Sequence, residues 1–318
     1  MRGVRNTERG IEVLDVPDVS DPAADPSGSD VRVRVRSAAI CGSDLHMIGF
    51  GPIPITLGHE LGGVLDDGSA VAIDPNDPCG RCDQCLTGQG HRCRSMSVRT
   101  RGVGADGGMS DSIVVHESQL VACPDGLTAA DACLVEPLGV AVHGLRLAGT
   151  ADGARVAVVG AGSIGLAAVA AARARAREVA LVARHEHQRL AGDRLGATAT
   201  VDGEYDVVVE CAGTDAALAT AVDLCRPGGL VLFLSTHWTP VTLPGVPALM
   251  KELGFRWAIT YGTHEDGRDL DDAAALLASD PSIADVMITH RFPLDEAARA
   301  FEVAADRASG AIKVVLEP

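Results

Sequence analysis

Rings are scarce in this sequence. Two Trp, two Tyr and five Phe make aromatics only 3% of 318 residues, so a core has to be filled by Ala, Val and Leu. Basic residues are outnumbered, 27 Lys and Arg against 43 Asp and Glu, for a formal net charge of −16. That sign argues against nucleic acid or an anionic membrane as partner, since both select basic surfaces. No apolar run reaches the ~18 residues of a membrane-spanning helix. The opening "MRGVRNTERGIEVLDV" is charged from Arg2 onward and holds no apolar stretch of the kind found in secretory signals. The expected compartment is therefore the reducing cytoplasm, where clustered cysteines hold metal more often than they pair as disulfides.

What is present is apolar mass, 47% hydrophobic residues in a chain long enough for two domains. Up to about residue 138 the texture is all β. Short apolar runs are broken by Gly, Pro and Asp; "VRVRVRS" (31–37) alternates as a half-exposed strand should, and "SIVVHESQLVACP" reads as two more short strands. From 139 to 262 strands and helices alternate. "ARVAVVG" (154–160), "EVALVAR" (178–184), "YDVVVECAG" (205–213), "LVLFLS" (230–235) and "FRWAITYG" (255–262) read as buried strands, with "SIGLAAVAAARARA" (163–176) and "DAALATAVDLC" (215–225) as helices. Continuous apolar strands alternating with helices predict a parallel sheet covered on both faces. From 263 onward the sequence predicts two helices, in "DLDDAAALLAS" and "LDEAARAFEVAAD", and a last strand, "AIKVVLEP". The expected division is a β-rich domain over 1–138, completed by 263–318, and a dinucleotide-binding α/β domain over 139–262.

The nine cysteines are spread unevenly. Cys79, Cys82, Cys85 and Cys93 crowd into "PCGRCDQCLTGQGHRC". Four thiolates suit a closed tetrahedral zinc site, which holds a loop and leaves no position open for chemistry. Cys123, Cys133, Cys211 and Cys225 sit in apolar surroundings and read as small buried hydrophobes. Cys41 stands alone in "AAICGSDLH". Together with His59 and Glu60 of "LGHELGG" and Glu136 of "CLVEPLG" it offers the thiolate, imidazole and carboxylate of a three-ligand catalytic zinc site. Each of these residues also has a plain reading, as core thiol, turn or helix-end charge, and spacing does not show that they meet.

Gly160-Ala161-Gly162-Ser163-Ile164-Gly165 closes a predicted strand and opens a predicted helix, the context that makes this glycine pattern a dinucleotide fingerprint. Gly160 permits the tight turn, Gly162 lets backbone approach a pyrophosphate, Gly165 lets helix and strand pack, and the helix N-terminus faces the phosphates. Ala212-Gly213, after the third strand of this unit, is counted with the coenzyme residues. The carboxylate that binds the ribose of NAD is expected ~20 residues beyond the glycines. There the sequence has Ala183 and Arg184, with His185 and Arg189 following and Glu178 at the wrong end of the strand. A small residue beside a guanidinium suits a 2′-phosphate, so NADP is expected ahead of NAD. In the opposing reading Glu186 curls back to the ribose of NAD.

"CGSDLH", "GHE", the cysteine lobe, "VEPLGVAVHG", "GAGSIG" and "THRFPLDEAARAFE" follow one another in this order. In that combination the chain resembles the zinc-dependent medium-chain dehydrogenase/reductase family over nearly its whole length, and within it the polyol (sorbitol-like) dehydrogenases. The resemblance implies a GroES-like catalytic domain, a Rossmann coenzyme domain and two zinc ions per chain. Catalytic zinc would be held by Cys41, His59 and either Glu136 or Glu60, structural zinc by the cysteine lobe. Glu136 stands where many alcohol dehydrogenases have cysteine, which points to the polyol branch. The resemblance also implies that Ser43 begins a proton route that His46 finishes, and that Asp44 orients a zinc-bound histidine. The implied reaction is hydride transfer between a secondary alcohol or polyol, or its ketone, and a nicotinamide. The alternative is a sugar or cyclitol dehydrogenase of a biosynthetic pathway. Family relatives further imply a homodimer or homotetramer.

The chain is shorter than most relatives: residues 42–58 alone separate Cys41 from His59, and "GGVLDDGSAVAIDP" is abbreviated. These trims fall around the expected substrate cleft and leave the substrate's identity and size open. Three rival classes fit less well. A zinc-free quinone or enoyl reductase would lack the metal ligands. A zinc-ribbon nucleic-acid binder disagrees with the acidic charge and the complete fingerprint. A scaffold that has lost catalysis disagrees with intact Cys41, Ser43, His59 and Glu136.

Overall fold

The chain opens on a hairpin of β1 (Arg2–Thr7) and β2 (Gly10–Asp15). The alternating run at 31–37 then becomes the middle of β3 (Asp30–Ala39), with Val33 and Val35 buried and Arg34 and Arg36 exposed, as a period of two requires. A computed structural model describes residues 1–18, 29–306 and 308–318. The described residues divide into two compact units, Met1–Glu136 with Gly262–Pro318, and Pro137–Tyr261.

In the first unit β3 is followed by the short helix α1 (Gly42–Met47), then β4 (Glu60–Val64) and β5 (Ala70–Ile73). The cysteine lobe carries α2 (Asp83–Leu86) and α3 (Met96–Arg99). β6 (Ser112–His116) and β7 (Leu120–Ala122) follow, and α4 (Val135–Leu147) leads into the second unit. The two glycines of "ELGGV" explain how β4 seats its neighbours. A Cβ on Gly63 would lie 2.5 Å from the Arg34 carbonyl oxygen, and one on Gly62 2.6 Å from that of Ala129. Only bare backbone lets the strand that begins at Glu60 lie this close.

The second unit runs β8 (Arg155–Val159), α5 (Ser163–Arg173), β9 (Glu178–Val182), α6 (Glu186–Arg194), β10 (Tyr205–Glu210), α7 (Asp215–Leu224), β11 (Cys225–Phe233), α8 (Gly245–Met250) and β12 (Gly254–Trp257). The sheet order is β12-β11-β10-β8-β9 and every pairing is parallel. Strand order reverses between β8 and β10, and ligands of such sheets bind at that switch, beyond the carboxyl ends of the strands. Gly160 and Glu210 stand at those ends.

The tail adds β13 (Thr263–His264), β14 (Gly267–Arg268), α9 (Asp269–Ser279), α10 (Ser282–Met287), β15 (Ile288–Pro293), α11 (Ala297–Ala305) and β16 (Lys313–Glu317). β16 pairs antiparallel with β3, so the end of the chain enters the first unit's seven-stranded sheet, ordered β15-β16-β3-β4-β5-β7 with β6 also on β3. Val33, Val35, Leu57, Leu61, Phe301 and Leu316 share its core. No helix among the described residues is long and apolar enough to cross a membrane.

Several readings shift in extent. The first unit holds short helices as well as strands; helices of four to six residues span too few turns to show a period. β11 starts at Cys225, ahead of the apolar run that suggested Leu230. The strand expected over 255–262 runs from Gly254 and ends at Trp257; Ala258 still donates to the Phe233 carbonyl, and at Thr260 the backbone turns to a φ of 52°. Helix α6 is too polar to show in the apolar pattern.

Candidate active site and coenzyme cradle

The four lobe cysteines come together, their Sγ atoms all within 4.8 Å of one another. Cys82 and Cys85 are 3.5 Å apart and Cys79 and Cys85 4.0 Å. A tetrahedron with Zn–S bonds of about 2.3 Å has S···S edges of about 3.8 Å, so the spacing fits zinc and is far too long for a disulfide. The amides of Cys79 and Ser95 donate to Cys93 Sγ. Backbone N–H groups of Arg94 and Cys85 bring the Cys82 thiol down to about 6. Burial and the neighbouring Cys82 push Cys85 up to about 12. Four thiolates this close repel one another unless a cation sits between them, and the donors around them favour the charged form that zinc requires.

The second constellation is assembled by the junction of β3 with α1 and by the start of β4. Cys41 Sγ, a His59 ring nitrogen and a Glu60 oxygen lie within 4.8 Å of one another. Gly58, with φ at 96°, turns the chain just before His59. Asp44 is wholly buried. Its Oδ2 accepts the Cys41 amide at 2.9 Å, and its Oδ1 lies 3.5 Å from His59 Nδ1. Ser43 Oγ lies 3.3 Å from His59 Nε2. The imidazole is thus backed by a carboxylate on one nitrogen and faces Ser43 and the ligand group with the other. This is the arrangement that orients a metal-bound histidine. Burial works against charge on His59, but Asp44 and Cys41 outweigh it and raise its pKa well above the ordinary value. His46 lies on the exposed side of α1, its Nδ1 2.8 Å from the Gly42 carbonyl oxygen.

The two candidate carboxylates differ. Glu60 is fully buried, and its oxygens lie 2.6 and 2.7 Å from Nζ of Lys313, itself 1% exposed. Lys313 was not singled out in the sequence; the signal was a lone cation in the apolar strand "AIKVVLEP". Glu136, in the first turn of α4, is buried but outside the group whose atoms all lie within 4.8 Å. Burial and the nearby charge of Glu60 push its carboxyl up to about 7, while His59 and Lys313 pull the other way.

In the second unit the glycine motif has the geometry of a phosphate cradle. Gly160 has φ at 102°, and a Cβ there would lie 2.9 Å from the Ala212 amide nitrogen. A Cβ on Gly165 would lie 1.8 Å from the Gly160 carbonyl oxygen, so helix and turn touch only because both positions are glycine. A Cβ on Gly162, the residue capping α5, meets no other part of the protein within 4 Å, so bare backbone faces outward there. Ser163 and Ile164 form the first turn of α5. Gly160 donates its amide to the Val182 carbonyl at 3.0 Å, which brings the end of β9, and with it Ala183 and Arg184, beside the motif. Arg184 is exposed, whereas Arg189 is paired with Glu186 one turn along α6. The amides of Ala212 and Gly213 are both taken by the Glu210 carboxylate.

Residues 27–125 match the family model described as alcohol dehydrogenase GroES-like domain, and residues 176–316 the one described as zinc-binding dehydrogenase. L-galactonate-5-dehydrogenase of Escherichia coli is 31% identical over 313 residues, covering 87% of this chain and 88% of that protein. D-xylulose reductase A of Aspergillus oryzae is 30% identical over 310 residues, covering 86% and 85%. Among solved structures, a zinc-binding dehydrogenase from Sinorhizobium meliloti 1021, bound to NADP, aligns over 100% of this chain and 99% of that one, with a TM-score of 0.86 and 31% identity. With a GroES-like unit, a Rossmann unit and two groups of side chains that could hold a metal on one chain, the protein belongs to the zinc-dependent medium-chain dehydrogenases, in their polyol dehydrogenase branch.

Proposed function

We propose that this protein oxidises a secondary hydroxyl of a polyol or sugar acid, or reduces the matching ketone, using NADP(H). Cys41, His59 and Glu136 hold catalytic zinc, and Cys79, Cys82, Cys85 and Cys93 hold structural zinc. The observation that carries the reading is the Cys41–His59 pair, with Asp44 behind the imidazole and Ser43 Oγ 3.3 Å in front of it. Glu136 is preferred over Glu60 because Lys313 already occupies both oxygens of Glu60.

When bound, zinc polarises the substrate oxygen and the nicotinamide exchanges the hydride. The rest falls to the chain's own side chains. The Asp44 carboxylate, 3.5 Å from Nδ1 of His59, favours a proton on that nitrogen and so leaves Nε2 directed forward. Ser43 takes the hydroxyl proton of the alcohol through Oγ, and His46, on the exposed side of α1, passes it to solvent. The products are a ketone, the reduced coenzyme and one proton. Glu60, Lys313 and Glu136 are themselves buried, so this side of the donor set has little access to water.

NADP is preferred because Ala183 leaves room beside the exposed Arg184. Pairing of Glu186 with Arg189 supports this, since it engages the carboxylate that would otherwise turn to the ribose of NAD. The same pairing leaves Arg189 a lesser part in phosphate binding. The protein is read as a cytoplasmic homodimer or homotetramer. All nine cysteines are free thiols. β12 is a sheet edge carrying Trp257, 57% exposed, and Val246, Leu249 and Met250 of α8 are exposed as well. An open sheet edge is a template for pairing with another chain, and a grouped set of exposed apolar side chains marks an interaction surface.

The test is a panel of polyols, sugar acids, cyclitols and simple secondary alcohols with each coenzyme, followed by absorbance of the reduced nicotinamide. Turnover with a polyol or sugar acid and a higher kcat/KM for NADP, moved toward NAD by Ala183→Asp and by Arg184→Ala, is expected. A native preference for NAD that Glu186→Ala weakens overturns the coenzyme assignment. Light scattering of the purified protein reads the oligomer.

A further inference from the structure

Glu210 is a carboxylate that neither the fingerprint nor the catalytic reading uses. It ends β10, the strand next to β8, and it is completely buried. A buried carboxylate is costly unless its oxygens are satisfied, so the groups around it reveal its task. Oε1 accepts the amides of Ala212 and Gly213, each at 2.8 Å. Oε2 accepts the hydroxyl of Ser235, just beyond β11, and lies 3.6 Å from His237 Nε2. His237 is itself nearly buried, its ring set edge-on to Phe233 at 5.6 Å.

These contacts tie together the loops that leave β10 and β11. The turn they hold is the one that meets the glycine motif. The positions a Cβ would take on Gly160 and on Gly165 lie 2.9 Å from the Ala212 amide nitrogen and 3.5 Å from Cys211 Cβ. On its other side Gly213, with φ at 67°, comes up against the Thr236 carbonyl oxygen. The Cys211–Gly213 turn is therefore wedged between the phosphate-binding turn and the loop after β11, and it is Glu210 that turns its amides inward.

We infer that Glu210 is a positioning residue of the coenzyme cradle: by gripping the Cys211–Gly213 turn, with Ser235 as its second anchor, it sets the Gly160 turn where the pyrophosphate of a dinucleotide binds. This rests on the nicotinamide-coenzyme reading above. The adenosine end, expected beside Ala183 and Arg184 after β9, lies outside the grip. Loss of Glu210 therefore weakens the whole dinucleotide and spares a ligand that reaches only the adenosine end. Gln at 210 can still accept both amides with its oxygen and donate to Ser235 with its nitrogen, so it restores most of the grip.

The experiment titrates wild type, Glu210→Ala, Glu210→Gln and Ser235→Ala with NADPH, by nicotinamide fluorescence, and with adenosine 2′,5′-bisphosphate, by calorimetry, alongside Tm without ligand. Glu210→Ala is expected to raise the Kd for NADPH at least tenfold and that for the bisphosphate less than twofold. Glu210→Gln should stay within threefold of wild type for both, and Ser235→Ala should show a smaller loss for NADPH only. If Glu210→Ala does not fold, Ser235→Ala decides: an unchanged ratio of the two Kd values overturns the inference. So does a Glu210→Ala protein with a lowered Tm and both Kd values raised equally, the mark of a merely structural carboxylate. A wild type that binds neither ligand refutes the coenzyme reading itself, whereas one that binds both while its variants keep the native ratio refutes only the role of Glu210.

Discussion

Replacing Lys313 by Met should destabilise the first unit more than any surface change to the chain. Lys313 is 1% exposed, and its ammonium lies 2.6 and 2.7 Å from the oxygens of a Glu60 with no exposure at all. Met has nearly the same length, so packing is largely kept while Glu60 is left without its cation. Breaking a buried pair from one side costs about 3–5 kcal/mol, mostly the price of the charge left behind. With a urea m-value of roughly 2–3 kcal/mol/M, that moves the midpoint down by roughly 1–2.5 M. The assay is urea unfolding by far-UV circular dichroism on zinc-stripped protein. Glu60→Gln combined with Lys313→Met removes the orphaned charge and should be more stable than Lys313→Met alone. The pH dependence has a definite sign. Burial works against charge on Lys313, but the Glu60 carboxylate outweighs it and raises the Lys313 pKa. A cation with a raised folded pKa gives its full contribution below the unfolded value of ~10.4 and loses it only as pH climbs through the higher folded one. The deficit of Lys313→Met should thus not fade from pH 6 to 9, and should grow with pH as the orphaned, buried Glu60 carboxyl is forced to ionise. A midpoint shift below about 0.3 M, where ~3 kcal/mol is expected, or a deficit that fades across this range, would refute the reasoning.

Glu136, pushed up to about 7 by burial and then by Glu60, should make zinc-stripped protein lose stability as pH rises from its ordinary range near 4.3 through 7. Glu136→Gln should flatten that slope in chemical denaturation, and an unchanged slope would count against the buried placement. Cys82→Ser should take the metal content from two zinc ions per chain to one by elemental analysis, with loss of solubility, because structural zinc contributes folding free energy; two ions retained would rule out the lobe as a zinc site. Gly165→Ala puts a Cβ 1.8 Å from the Gly160 carbonyl oxygen. It should weaken NADPH binding by roughly tenfold or more, since helix and phosphate turn can no longer pack; an unaltered Kd by fluorescence titration would contradict the cradle geometry.

Local signals were enough for much of this protein. Period-two alternation located β3, continuous apolar runs located β8 to β10, and the glycines at 160, 162 and 165 marked the turn from β8 into α5, because each depends on residues that are neighbours in the chain. The cysteine lobe was legible for the same reason, all four thiols falling within one short loop. The order of motifs along the chain was enough to indicate the family, which the family models and relatives bear out.

What only the tertiary structure decided is which charges meet. Cys41 lies just past the end of β3 and His59 just before β4, and their approach depends on β3 and β4 pairing through bare glycine backbone. Glu60 and Glu136 look alike in sequence, yet one is neutralised by Lys313 and the other pushed up to about 7. Lys313 comes from the other end of the chain and reaches Glu60 only because β16 pairs with β3. Glu210 reads as the polar end of an apolar strand until the fold puts its oxygens under the amides of Ala212 and Gly213 and the hydroxyl of Ser235. Hydrophobic patterning is local and survives in one dimension. The balance of desolvation against pairing that sets the state of a buried charge depends on partners that sequence distance does not reveal.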